Sequence, residues 1–205
     1  MIKKAIPSVD MAKVNACLTL TQEIRGDASK SKKWGWELSL VDFAKAMLCL
    51  NPQSYGGRID KRLSEDLGLL PTDDKDRGDR MSISGKYVEW KGSFITSSNT
   101  ALNLVQIRPW QETDYIYYSF DMRDLNDIKM QIFHLNKAQM ESELGIATSA
   151  HGTKTSNLKN ANNELAVRVE ADSDLYKQWV TKYGISMEKL QLVLAEPLDL
   201  SHEQN

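Results

Sequence analysis

Two carboxylates and an ammonium fall close together in the run Gly78-Asp79-Arg80-Met81-Ser82-Ile83-Ser84-Gly85-Lys86-Tyr87-Val88-Glu89-Trp90-Lys91. Ser84-Gly85 is a turn signal, so Met81–Ile83 and Lys86–Lys91 can pair as a hairpin. Alternation along the second arm puts Glu89 and Lys91 on one face and Val88 and Trp90 on the other. Asp79, at the start of the first arm, can reach that charged face. A further acid, Asp60, directly follows Ile59 and precedes Leu63 by three on a stretch of helical period, so it flanks an apolar stripe. Carboxylate oxygens gathered at one spot suit a hard divalent cation such as magnesium. Such an ion can hold a scissile phosphate, lower the pKa of a bound water and offset charge on a leaving oxygen, while a lysine beside it positions the attacking water. Metal-dependent phosphodiester hydrolysis would need this set. The same residues also read as a charge pair on a solvated strand face, with Asp79 a plain loop residue.

The flanking chain must supply the elements that hold these groups. Met11, Val14, Cys17, Leu18, Thr21 and Ile24 recur at helical spacing behind Ser8 and Asp10, and a basic loop, Gly26 to Lys33, follows. A second helix is expected from Glu37 to Leu50, stopped by Asn51-Pro52, and a third from Tyr55 to Leu67, ended by Gly68. Beyond the charged loop Asp73 to Asp79, the period changes to two. Aromatic and β-branched runs predict strands at Tyr87–Lys91, Leu102–Arg108, Tyr115–Phe120 and Met130–Leu135, with Arg123 to Asp127 as a turn. A short helix spans Asn136 to Leu144, a polar loop Thr148 to Asn163, and a strand Leu165 to Val169. Two C-terminal helices are capped by Ser173 and Ser186. The pattern predicts an α/β (α+β) fold with a central mixed β-sheet flanked by helices, read as a single domain over 1–205. Residues 1–50 form N-terminal helices, 51–170 the core and 171–205 C-terminal helices.

With 205 residues and 41% hydrophobic content, the chain can bury a real core, which rules out disorder and a disulfide scaffold. A net charge of −2 excludes binding nucleic acid through a globally basic surface, so any phosphate contact must be local. Cys17 and Cys49 read as buried free thiols. His134, His151 and His202 are scattered and give no zinc spacing, with His134 read as a packed strand histidine. No Walker or dinucleotide loop and no Gly-x-Ser-x-Gly elbow occurs. Met130, Met140 and Met187 belong to apolar stripes. The start, Met1 to Pro7, lacks a signal peptide's apolar core and no run reaches membrane-spanning length, so the expected location is cytoplasmic, with no membrane partner.

The run from Asn51 to Lys91 resembles the PD-(D/E)xK nuclease superfamily, the restriction-endonuclease-like fold, and looks most like type II restriction endonucleases or related phage and mobile-element DNA endonucleases. Tyr55-Gly56-Gly57-Arg58-Ile59-Asp60-Lys61-Arg62-Leu63, leading through Leu67-Gly68-Leu69, resembles the family's acid-bearing helix. Asp60 stands in the acid's place, with Glu65 and Glu37 as stand-ins. The family's Pro-Asp becomes Gly78-Asp79, and its (D/E)-x-K becomes Glu89-Trp90-Lys91. In element order the resemblance covers residues 51 to 170. It implies a sequence-specific, Mg2+-dependent endodeoxyribonuclease in which Asp79, Glu89 and Asp60 ligate the metal and Lys91 positions the nucleophile. Double-stranded DNA is the implied substrate, and a homodimer is implied by analogy.

Gln106 and Arg108, read as sharing a face of the strand after the motif, resemble polar residues that follow the catalytic hairpin in such nucleases and are expected to contact phosphate or support the site. The run Ala150 to Asn157 also looks like a loop of some restriction-enzyme relatives. Its His151, Thr153, Lys154 and Asn157 can contact DNA, since amides and basic groups read base edges and hydroxyls and lysines grip phosphate. Lys30, Lys32 and Lys33, next to Trp34 and Trp36, form a second candidate phosphate patch. Three other readings remain: a catalytically silent DNA-binding module on the same fold, a nuclease for structured DNA or RNA, and an interaction protein presenting Trp110, Tyr115 and Tyr117 to a partner.

Overall fold

The computed structural model describes residues 35–48, 52–74, 76–149 and 164–197, which bear out a mixed α and β architecture. The chain divides into two compact units, Met1–Ile59 and Asp60–Asn205. In the first unit, α1 (Leu40–Met47) starts where Ser39 Oγ accepts a hydrogen bond from Asp42 N at 3.1 Å. That cap makes the helix begin at Leu40, the first residue of its apolar stripe and three residues later than the expected Glu37. Phe43, Ala44 and Met47 are buried.

The next helix, α2 (Pro52–Asp66), opens on Pro52. The helix therefore starts at Pro52, ahead of the expected Tyr55, because the first helical position needs no amide hydrogen. The helix ends in a Schellman arrangement. Gly68 N donates to Glu65 O at 3.1 Å and Leu69 N to Ser64 O at 2.7 Å, with Gly68 at φ 67°. Asp60 and the last turns of α2 belong to the second unit.

The second unit holds two sheets. The larger orders its strands β1 (Leu70–Pro71), β2 (Arg80–Met81), β3 (Tyr87–Ile95), β5 (Asp114–Asp121), β6 (Lys129–Leu135) and β9 (Gly184–Ile185). Its β3 and β5 are parallel and its other pairs antiparallel. A parallel pair needs a crossover, and the chain between Ile95 and Asp114 provides it. That crossover contains β4 (Ala101–Ile107), which leaves the main sheet and pairs with β8 (Leu165–Glu170), itself flanked by β7 (Thr148–Ser149). The four strands read from periodicity are all present, but β4 lies in the second sheet. Helices α3 (Lys137–Glu143), α4 (Asp174–Tyr183) and α5 (Met187–Ala195) carry the side-chain caps Asn136, Ser173 and Ser186.

The register sets what each sheet face carries. Tyr115 stands opposite Glu89 on one side and Leu135 on the other, and Tyr117 stands opposite Lys91 and Phe133. One face of β3–β5–β6 therefore changes along its width from charged to aromatic. Its aromatic part joins Leu102, Leu104, Val167, Val169, Met140 and Trp179 in one core cluster, with the Tyr117 and Trp179 rings stacked at 6.2 Å. Among the described residues no helix is long and apolar enough to cross a membrane.

Candidate active site

The hairpin carrying Glu-x-Lys is shorter than alternation predicts. Its first arm is Arg80–Met81, and Ile83 belongs to the turn, where its side chain is 82% exposed. Ser82 N donates to Lys86 O and Gly85 N to Ser82 O, so Ser84-Gly85 does make the reversal. The turn is pinned from outside. Ser84 Oγ donates to Leu194 O at 2.6 Å, and Lys86 Nζ donates to Val193 O at 2.7 Å. These carbonyls end α5, where a hydroxyl and a cation complement the unpaired C-terminal groups.

Upstream of the hairpin, Gly78 adopts φ 101°. A Cβ there would lie 2.7 Å from both Val88 O and Thr113 Oγ1. Proline, fixed near φ −65°, cannot take this conformation. The backbone thus explains why glycine, and not proline, stands before Asp79. Next to it, Asp79 N donates to Val88 O at 3.0 Å, which ties the acid to the strand bearing Glu89.

On β3, the Glu89 side chain is 1% exposed. Lys91 Nζ donates to Glu89 Oε1, while Oε2 is buried with no hydrogen-bond partner. Burial pushes the Glu89 carboxyl above the ordinary range; Lys91 works against that shift and Asp79 adds to it. Asp60 repeats the pattern on α2. Its Oδ2 accepts from Arg80 Nη2 at 2.8 Å, and its Oδ1 is buried without a partner. Burial raises this carboxyl too; Arg80 opposes the rise, Asp79 adds to it and Lys91 opposes it. Asp79 and Lys91 each act on both the buried Glu89 and the partly exposed Asp60, so the four residues share one electrostatic neighbourhood. The side chain of Asp79 is exposed at its rim.

The helical acid of this neighbourhood is Asp60. Glu65 lies on an exposed part of the same helix, and Glu37 belongs to the first unit, in the turn before α1. Arg108, just past β4, also lowers the Glu89 carboxyl. Its Nε donates to Glu164 Oε1 at 3.0 Å, and its carbonyl accepts from Tyr115 Oη at 3.0 Å. The alternation that would set Gln106 beside Arg108 is broken. The β4–β8 register shifts between Leu104 and Ile107, and Gln106 sits at φ 58° in that bulge. The structure therefore brings Arg108 to the acids and leaves Gln106 on an irregular stretch of strand.

Arg80 and Ser64 went unread in the sequence. Arg80 bridges Asp60 and Ser64, donating from Nε to Ser64 Oγ at 2.9 Å. The available signals were its position beside Asp79 and the i, i+4 spacing of Asp60 and Ser64 on one helix face. Tyr115 and Tyr117, considered as a partner surface, are core residues, whereas Trp110 is half-buried. His134 is tied to Asp114 by a 2.9 Å contact from Nε2, as a packed histidine should be. The expected DNA contacts His151, Thr153, Lys154 and Asn157, the patch Lys30, Lys32, Lys33 and Trp34, and both Cys17 and Cys49 lie outside the described residues.

Among the described residues no three His, Cys, Asp or Glu side chains stand grouped as a ready-made metal cage. The donor chemistry still suits a hard cation: two buried carboxylate oxygens without partners, on Asp60 and Glu89, with the exposed carboxylate of Asp79 nearby. No family model, no curated protein and no solved structure matches the chain.

Proposed function

We propose that this chain is a magnesium-dependent endonuclease of the PD-(D/E)xK kind, hydrolysing phosphodiester bonds in double-stranded DNA. The observation that carries the reading is Glu89, fully buried, with one oxygen unpartnered and Lys91 on the other. Keeping an ionised carboxylate from water costs several kcal/mol unless its partners are complete. Here two acids in one neighbourhood are left incomplete, an arrangement characteristic of functional sites. Asp79, Glu89 and Asp60 would hold the cation, which when bound supplies positive charge against the phosphate and acidifies a coordinated water. Lys91, on the same sheet face as Glu89, would orient the attacking water and donate to the developing negative charge. Arg108 would hold a flanking phosphate. Gln106 would contact phosphate or support the site, and His151, Thr153, Lys154 and Asn157 would contact DNA. A homodimer would set one site on each strand of a palindromic target.

The test is cleavage of mixed plasmid and phage DNA in magnesium by the wild type, Glu89→Ala and Lys91→Ala. Discrete fragments lost in both variants support the reading. Intact DNA with every protein overturns duplex cleavage, and variants as active as the wild type overturn the site. A catalytically silent DNA-binding module is the second reading. It draws on the fact that Asp60 and Glu89 each already carry a cationic partner, Arg80 and Lys91. That module would bind duplexes in a salt-dependent way and leave them uncut in magnesium.

A further inference from the structure

The ion pair between Arg80 and Asp60 is not needed to hold β2 in place, because the backbone does that. Arg80 pairs with Pro71 on one side and with Val88 on the other. Its guanidinium reaches back to α2, where Nη2 takes Asp60 Oδ2 at 2.8 Å and Nε takes Ser64 Oγ at 2.9 Å. The side chain stays about one-fifth open to solvent, at 21% exposure, so it can reach an outside ligand without unfolding anything. The other oxygen of Asp60 and one oxygen of Glu89 are buried and unpartnered. An arginine fork matches a phosphate as well as it matches a carboxylate, and it keeps its charge throughout the working pH range.

The local charge balance shows what this arrangement is short of. Asp60, Asp79 and Glu89 against Arg80 and Lys91, with Arg108 neutralised by its own partner Glu164, leave one net negative charge, which repels a phosphodiester. A divalent cation reverses that sign to one positive charge, and a phosphodiester, with one negative charge, closes the balance. Once a cation sits on Asp60, like charge drives Arg80 away from it. With Asp79 taken up by the same cation, the incoming phosphate is the partner of opposite charge left for Arg80.

We infer that the Arg80–Asp60–Ser64 contact is a cation-released latch: a divalent metal displaces Arg80 from Asp60, and the freed guanidinium then binds a phosphate of the nucleic-acid backbone. The inference rests on the nuclease reading above and adds to it a residue, Arg80, with two successive partners. Arg80 is a competitor for the metal before release and a phosphate ligand after it. It is a positioning residue for the cation and a direct contact for the substrate. Ser64 biases it toward the closed position by holding Nε.

The two roles have opposite signatures, which makes the idea testable without reading cleavage. Binding of Mn2+ alone to the full chain is followed by electron paramagnetic resonance. Binding of labelled random-sequence duplexes is followed by fluorescence anisotropy in Ca2+. Arg80→Gln should tighten Mn2+ by about tenfold, since a charge-assisted competitor is gone. The same variant should weaken duplex binding by about tenfold and lower the salt slope of log K by about one phosphate contact. Ser64→Ala should tighten Mn2+ by a smaller factor, about threefold, and leave the salt slope unchanged, because it loosens the latch without removing the phosphate ligand. A thermal melt by circular dichroism accompanies each variant, so that only folded protein is compared.

A purely structural Arg80 would weaken Mn2+ and DNA together, and that outcome overturns the latch, as does Mn2+ binding unchanged in Arg80→Gln. If the wild type binds Mn2+ but Arg80→Gln keeps full duplex affinity, the phosphate half is wrong and the latch falls. If the wild type takes up no Mn2+ at all, the metal-dependent function itself falls and the latch with it.

Discussion

Strands β3 and β5 run side by side, and each carries an acid two residues before a base: Glu89-Trp90-Lys91 on one, Asp121-Met122-Arg123 at the end of the other. Read as strings, the two tripeptides are nearly the same motif. Their surroundings are opposite. Asp121 is 24% exposed, and the Arg123 fork covers both of its oxygens, from Nε at 2.9 Å and Nη2 at 2.7 Å, while also reaching Asp172. Those hydrogen bonds hold the Asp121 carboxyl below its usual value. Glu89 is sealed from water, has a partner on one oxygen only, and is pushed upward by burial. An acid–x–base pair on a strand is a surface clamp when its oxygens are complete. It becomes a candidate for chemistry when burial leaves one of them wanting.

The contrast can be broken most forcefully at Glu89. Glu89→Gln keeps the shape and the hydrogen bond to Lys91 but removes the charge, and, on the nuclease reading proposed above, DNA cleavage in magnesium should fall by about a thousandfold, on the scale of losing a principal electrostatic contact. The equivalent change, Asp121→Asn, should leave the cleavage rate within about twofold, since an exposed ion pair carries little. Equal losses from the two would erase the distinction between clamp and site.

A second break acts through the backbone. Gly78→Ala puts a Cβ 2.7 Å from Val88 O and at a positive φ. It should lower stability by about 2 to 4 kcal/mol, measured by urea denaturation, combining strain and overpacking. Wild-type stability in that variant would mean that the Asp79 loop is not locked to β3.

The contrast sharpens with pH. Because the folded Glu89 carboxyl lies above its unfolded value, the native state holds the proton more tightly. Stability from this residue is therefore present at low pH and is lost as pH rises from about 4 through the raised folded value. Asp121 runs the other way, with stability present above its unfolded value and lost as pH falls through the lowered folded one. Melting curves against pH should show Glu89→Gln gaining on the wild type toward neutral pH. Asp121→Asn should lose slightly there, by under about 1 kcal/mol, and converge with the wild type in acid. Parallel curves for all three proteins would contradict the opposite shifts.

Much of this fold is legible in the chain. Alternating aromatic and β-branched residues mark β3 to β6, and Ser173 and Ser186 mark the starts of α4 and α5. The charged hairpin with Asp79, Glu89 and Lys91 is legible too, as is Asp60 beside the buried Ile59 and Leu63. What escaped depends on partners far away in sequence. Period two identifies β4 as a strand but is silent about which sheet it joins. Two-residue strands such as β1, β7 and β9 are too short to have a period at all. The bulge at Gln106 breaks the very alternation from which its direction was read. Arg80 escaped because a basic residue beside an acid looks solvated until the helix bearing Asp60 is laid against it.

The pinning of Ser84 and Lys86 to Leu194 and Val193 has a consequence for the order of events during synthesis. The two contacts span 110 and 107 residues. Pairings so remote close late, since a long loop must be ordered before they form. A chain growing from its N-terminus exposes both arms of the hairpin well before α5 exists. Until Leu194 has emerged, α5 contributes no clamp, and the turn is held by the hairpin's own hydrogen bonds and its two β2–β3 pairings. The segment bearing Glu89 and Lys91 therefore takes its final setting only once Leu194 has been made, after most of the surrounding sheet.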